Sequence, residues 1–276
     1  MKTLLVTTDL SANSKSAVRF AVQLATQTNA QLVFYYVADV TKPTSWTDSQ
    51  YAKYQKEMYD KYSPKVKAFV ENALEYTLRH AVYAVGLSLN VTDAIMEAAK
   101  TYRADFICMS TRGAGKVKKL FGTNSSSIIT SSPIPVIVVP QRYKAEPLKN
   151  IFFACDFANL DSEMKAVKSF AEDLKARVDV YHFDYLIDLP ETQKVLQKKA
   201  AKHADKKVRF HFHKQQIENS LHENLQRFIK SEKPSMVVLF TKQDRKWYDR
   251  LLLPSEASEM SFHLNLPLLT YRKKVD

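Results

Sequence analysis

The stretch FICMSTRGAGKVKKLFGTNSSSIITSSPIPVIVVP, Phe106 to Pro140, decides how the first half of this chain is read. An apolar run, Phe106 to Met109, meets a polar loop containing Gly113 and Gly115, and Gly122 then precedes Thr123, Asn124 and three serines. The pattern predicts a strand, a phosphate-sized loop and a helix from about Ser125 to Ser132. Pro133 stops that helix before an apolar strand, Val136 to Val139. Backbone N–H groups left unpaired at a helix start can hold an anion without a cationic side chain. Lys116, Lys118 and Lys119 raise the local positive potential further.

Upstream, Leu4 to Thr8 reads as a strand, Ser11 to Ser14 as the cap of a helix carrying Ala17, Val18, Ala21 and Leu24, and Gln31 to Val37 as a second strand. Nearly continuous apolar strands alternating with helices predict a parallel sheet covered on both faces. Asp9 then stands at the carboxyl end of the first strand, the edge where open α/β sheets hold ligands. Ser49 to Lys61 and Pro64 to Arg79 read as helix with a break or kink at Pro64. This long excursion is a lid or, more simply, a packing helix whose tyrosines pack rather than stack on a base. Ala81 to Val85 is a short strand, and Val91 to Tyr102 a helix with Ile95, Ala98 and Ala99 inward.

After a polar linker, residues 141–148, the order repeats. Asn150 to Cys155 matches the first strand in character, and Asp156 follows it as Asp9 follows Thr8. Helices at Ser162 to Lys175, Glu191 to His203 and Ile217 to Lys230 alternate with strands at Val178 to Phe183, Val208 to His213 and Met236 to Phe240. This is an internal duplication of element order with little residue identity, expected to give two sheets facing each other as a pseudo-dimer. The second copy has no glycine after Phe240, so its backbone is poorly suited to a phosphate loop, and Arg245, Trp247 and Arg250 add bulk there.

A chain of 276 residues has room for two cores. The net charge of +12 fits an anionic ligand, nucleic acid or an anionic membrane surface without choosing among them. Nucleic-acid binding is disfavoured because no recognised nucleic-acid motif accompanies the charge. The two cysteines, Cys108 and Cys155, lie in apolar runs and read as buried thiols of a reducing compartment. A start that enters a strand directly, and apolar stretches all short of a membrane span, point to a soluble, cytoplasmic protein.

Neither common nucleotide fingerprint is present. A dinucleotide motif from Gly113 needs glycine where Lys118 stands, and a P-loop ending at Gly115 needs glycine at Ser110 and Ser or Thr at Val117. His203, His211, His213 and His222 have no convergent carboxylate or cysteine of metal-ligand spacing, so no metal site is assigned. Ser125, Ser126 and Ser127 read as capping or phosphate-contact hydroxyls, since no base is paired with them. Asp9 and Asp156 anchor a cation or a ribose, or cap the following helix. No catalytic residue is assigned, and enzymatic activity stays open.

With LLVTTDLSANSKSAVRFA at the start, QLVFYYV at the second strand, and STRG followed by GTNSS and PIPVIVVP, the first half resembles the universal stress protein family. The resemblance extends weakly to the second half. It implies two domains, residues 1–144 with a modified glycine loop and residues 145–276 as a degenerate copy. Each would be a Rossmann-like, open, parallel five-stranded sheet flanked by helices. The two would form an intramolecular pseudo-dimer paired through Val136 to Val139 and Leu268 to Tyr271, with a further homodimer left open.

The family's nucleotide-binding members carry G-x-x-G, nine residues, then G-S or G-T. Here Ser110 replaces the first glycine, and eight residues separate Gly113 from Gly122. Carried over by position, the resemblance implies that Thr7 and Asp9 lie near adenine and ribose and that Val37 lines the adenine pocket. Met109 and Ser110 would lie at the loop entry, and Gly113, Gly122, Thr123, Asn124 and Ser125 would surround the phosphates. The expected function is a stress-response regulatory or chaperone-like protein binding ATP or another adenine nucleotide, with or without Mg2+, in its first domain. The alternative is a non-enzymatic protein-interaction module that has lost nucleotide binding.

Overall fold

A computed structural model describes residues 1–40, 43, 45–111, 123–184, 186–214, 221–241 and 265–273. The chain divides into two compact units, Met1–Ala145 and Glu146–Asp276.

In the first unit the strands are β1 (Thr3–Thr8), β2 (Gln31–Ala38), β3 (Val82–Leu87), β4 (Phe106–Ser110) and β5 (Val136–Val139). Helices α1 (Lys15–Thr28), α2 (Asp48–Leu74), α3 (Val91–Thr101) and α4 (Thr123–Ser131) connect them. Strand order is β3-β2-β1-β4-β5, every pair parallel. Every residue of β1, β4 and β5 is buried, as continuous apolar runs covered on both faces require. The expected inward residues of α3, Ile95, Ala98 and Ala99, are buried.

Of the break or kink expected at Pro64, the break does not occur, and α2 runs through it to a left-handed cap at Glu75. A proline forfeits one backbone hydrogen bond, which a long helix packed along a strand can absorb. Tyr59 and Ser63 both donate their hydroxyls to the Tyr83 carbonyl of β3, at 3.3 and 3.0 Å. Seen from the chain, α2 is thus a packing element of the sheet.

The second unit has strands β6 (Asn150–Ala154), β7 (Arg177–Asp184), β8 (Val208–Lys214), β9 (Met236–Thr241) and β10 (Leu268–Arg272). Among the described residues its helices are α5 (Leu160–Leu174), α6 (Pro190–Ala201) and α7 (Leu221–Glu232). Within it the order β10-β9-β6-β7-β8 is again all parallel. Both cysteines are free and buried.

The expectation of two separate five-stranded sheets is overturned. The ten strands form one sheet, in the order β3-β2-β1-β4-β5-β10-β9-β6-β7-β8. The general reason is that an uncovered edge strand leaves a row of unpaired N–H and C=O groups, which continuation of the ladder satisfies.

The repeat of element order reaches the level of single backbone bonds. The N–H of Gln31 donates to Lys2 O at 2.8 Å, as that of Arg177 does to Lys149 O at 2.9 Å. Ile107 N and Val237 N each donate to a proline carbonyl, Pro135 and Pro267, at 3.0 Å. Left-handed residues recur after the first helix of each unit, Asn29 and Lys175, and before β4 and β9, Arg103 and Lys233.

Candidate functional site at the carboxyl edge of the first unit

Parallel pairing of β1 with β4, with Val6 opposite Cys108, delivers the turn after Thr8 and the end of β4 to the same sheet edge. Thr7 and Thr8 are buried, whereas Asp9 is exposed. The Asp9 carboxylate accepts from the backbone N–H of Ser11 at 3.1 Å and from its hydroxyl at 2.7 Å. Asp9 therefore closes a local turn rather than capping α1. Leu10 takes a left-handed φ of 60°, and its N–H donates to Thr8 Oγ1 at 3.0 Å.

A layer of hydroxyls lies behind this turn. Thr8 Oγ1 and Ser14 Oγ share a hydrogen bond of 2.8 Å, and Ser14 also donates to the Ser11 carbonyl. Ser110, 7 % exposed, donates to the Asn13 carbonyl at 2.9 Å. Ser125, 4 % exposed, donates to the Ser110 carbonyl at 3.1 Å and so ties the first turn of α4 to the end of β4. Asn13 Oδ1 further accepts from Gln141 Nε2. Met109 is buried beneath this edge, and Val37 is half-buried on β2 opposite Gly86.

Of the expected ligand residues, Thr7, Asp9, Met109, Ser110 and Ser125 thus converge on the ends of β1 and β4, with Val37 on the adjoining β2. Thr123 and Asn124 open α4. Gly113 and Gly122 lie outside the described residues, as do Arg245, Trp247 and Arg250 of the second half.

The sequence pattern gave no site role to Thr8, Asn13 and Gln141, marked Ser14 only as part of a helix cap, and did not join an aromatic pair at the end of β2. Tyr36 and Tyr62 have ring centroids 5.3 Å apart, and Lys61 and Lys65 sit 5.3 and 5.2 Å from the Tyr62 ring. Burial, then Tyr62 and the carboxylates of Asp9 and Asp39, raise the Tyr36 phenol pKa. Tyr36 stays a neutral hydroxyl beside the Asp9 carboxylate. In sequence the neighbouring Val37 was marked, and Tyr62 was read as one of the tyrosines of α2 that pack rather than stack on a base. Chemically, this edge offers neutral hydroxyls, the carboxylates of Asp9 and Asp39 and an aromatic flank, with the Ser14, Ser110 and Ser125 hydroxyls donating to backbone carbonyls. That suits holding a polar ligand, and the Asp9 carboxylate is taken up by the N–H and hydroxyl of Ser11.

The universal stress protein family model matches residues 1–140, just over half of the chain. The chain belongs to the universal stress protein family. A universal stress protein from Archaeoglobus fulgidus has the same fold over 98 % of both chains, at 16 % identity and a TM-score of 0.65. A curated Thermus aquaticus relative, the universal stress protein in the QAH/OAS sulfhydrylase 3' region, is 44 % identical over 48 residues. That match spans 17 % of this chain and 35 % of the relative's length. A universal stress protein solved in complex with cAMP aligns with 51 % of this chain and 97 % of its own, at 21 % identity and a TM-score of 0.36.

The second unit of this universal stress protein repeats the turn with other chemistry. Phe157 has φ 62°, its N–H donates to Cys155 Sγ at 3.3 Å, and Ala158 N donates to Asp156 Oδ1 at 3.0 Å. Asp156, which follows β6 as Asp9 follows β1, is engaged by Lys273. Among the described residues no helix is long and apolar enough to cross a membrane.

Proposed function

We propose that the first unit binds an adenine nucleotide at the carboxyl edge of β1 and β4, and that the protein is a cytoplasmic regulatory or chaperone-like component of a stress response. The observation that carries this reading is the Ser125-to-Ser110 bond, which sets the start of α4 against the end of β4 beside the Asp9 turn. A helix start held at a strand end presents unpaired N–H groups to an anion. Family membership supports the same ligand class, because another member is known with cAMP bound. Thr7, Asp9, Tyr36 and Val37 would meet the nucleoside, while Gly113, Gly122, Thr123, Asn124 and Ser125 would meet phosphate, with or without Mg2+. The two units are read as tandem copies of the family's domain, the second retained as a structural copy.

Calorimetric titration of metal-stripped protein with ATP, ADP and AMP, each with and without magnesium, tests the proposal. Saturable heat with at least one nucleotide is expected, and Gly122→Val should abolish it while the far-UV spectrum stays unchanged. Absence of both heat and thermal stabilisation at millimolar nucleotide overturns it.

The second reading is a protein-interaction module without nucleotide. The Gln141-to-Asn13 tie and the internally satisfied hydroxyls favour it, since they close the edge with the chain's own groups. It requires a partner that co-purifies equally with and without added nucleotide.

A further inference from the structure

The carboxyl edge of the second unit holds a charged cluster that nucleotide binding in the first does not use. Lys273, directly after β10, is 5 % exposed. Its Nζ lies 2.5 Å from both carboxylate oxygens of Asp156 and 3.3 Å from Glu163 Oε1. Glu163, in the first turn of α5, is 2 % exposed, and its other oxygen accepts from the Cys155 thiol at 3.4 Å. Burial, reinforced by the Glu163 carboxylate, pushes the Cys155 thiol pKa up, so it remains a neutral donor.

Strand register shows what this lysine replaces. Ile107 pairs with Val136 in the first unit and Val237 with Leu268 in the second, so Lys273 corresponds to Gln141. Both side chains reach back to the loop after their unit's first strand. Gln141 does so through a neutral amide bond to Asn13, and Lys273 through a full positive charge between two carboxylates. Two carboxylates this close, one of them buried, cannot both ionise without a cation between them. The Nζ sits against both oxygens of the Asp156 carboxylate, with Glu163 Oε1 as a charge contact at 3.3 Å, a place for a compact ammonium rather than a planar guanidinium fork.

We propose that this edge of the second unit is a primary-ammonium site that the chain fills from within by Lys273. Its ligand class is a protonated primary alkylamine, with the Asp156 carboxylate as its anionic partner, Glu163 as a further oxygen, and the space the Lys273 methylenes now fill left for the alkyl tail. Burial raises the Glu163 pKa. The site does not depend on nucleotide binding in the first unit.

Lys273→Ala in the full chain is the test, followed by thermal unfolding at pH 8 with n-propylammonium chloride, n-propanol or tetramethylammonium chloride at equal concentration. Removing the partner of a buried carboxylate should lower Tm by roughly 10 °C. Propylammonium at tens of millimolar should recover at least half of that loss, and the other two solutes should not. If the variant is insoluble, refolding yield replaces Tm as the readout, with the same order among the three solutes. Lys273→Ala combined with Asp156→Asn and Glu163→Gln should lose the amine response. Equal rescue by all three solutes, no rescue by the amine, or a response that survives loss of both carboxylates overturns the proposal.

Discussion

Leu10 and Phe157 hold the same left-handed backbone, φ 60° and 62°, in the turn that leaves the first strand of each unit. Each follows an aspartate, and each donates its N–H to the residue two places back, Thr8 Oγ1 or Cys155 Sγ. A residue with a β-carbon is strained there by about 1–2 kcal/mol. Its presence twice means that turn geometry is kept while side-chain chemistry has diverged.

Relieving that strain should act with opposite sign in the two units. Leu10 is half-buried, so Leu10→Asn is expected to be neutral or to stabilise by about 1 kcal/mol. Phe157 is 4 % exposed and packs against His182 with ring centroids 4.7 Å apart, so Phe157→Asn should cost about 3 kcal/mol. Urea unfolding of both variants checks this, and a shared sign would contradict it.

Gly86 is required by its neighbour across the sheet rather than by its own backbone. A β-carbon there would sit 1.9 Å from the hydroxyl of Tyr35, a buried side chain whose pKa burial pushes up to about 12. Gly86→Ala should cost about 2 kcal/mol, and much less in a Tyr35→Leu background. A double-mutant cycle showing no coupling would rule out this packing.

Two titrations in the second unit should separate cleanly. Burial, helped by the charges of His211 and Arg227, holds the His213 imidazole below its ordinary 6.5. The unfolded chain then takes the proton more readily, so His213 erodes stability as pH falls below 6.5. His213→Phe, which keeps the contact with Phe228, should remove that decline. Asp179 acts lower on the scale. Burial opposes its charge, but bonds from His211, Arg177 and Arg209 outweigh it and hold the pKa below 3.8. Its contribution is complete above 3.8 and lost as pH drops through the lowered value. Asp179→Asn should cost about 2 kcal/mol at neutral pH and flatten only this acid limb. Stability measured against pH for both variants decides it.

If the first unit takes nucleotide, one molecule should bind per chain, because Asp156 is already paired with Lys273. Ser125→Val breaks the tie between α4 and β4 and should weaken binding about tenfold, equivalent to one lost hydrogen bond. Asp156→Asn should leave affinity unchanged while lowering stability. A stoichiometry of two, read by calorimetry, would contradict the assignment.

The alternation of apolar strands with amphipathic helices made both copies legible, because strand and helix periods are written in consecutive residues. So did the place of Asp9, Met109, Ser110 and Ser125 at strand ends or a helix start. The helix runs on through Pro64 because the cost of a proline depends on what α2 packs against, and Tyr62 was not tied to Tyr36 because 25 positions lie between them and the second is on a helix.

By itself, the sequence determined the order of elements and its repeat, the buried character of the central strands and the burial of both thiols. All of these follow from local pattern and hydrophobicity. Only the tertiary structure decided that ten strands share one sheet and that Lys273 meets Asp156 across 117 residues. Edge pairing and ion pairing depend on where the chain returns in space, and solvent is excluded from Lys273 and Glu163 only once it has returned.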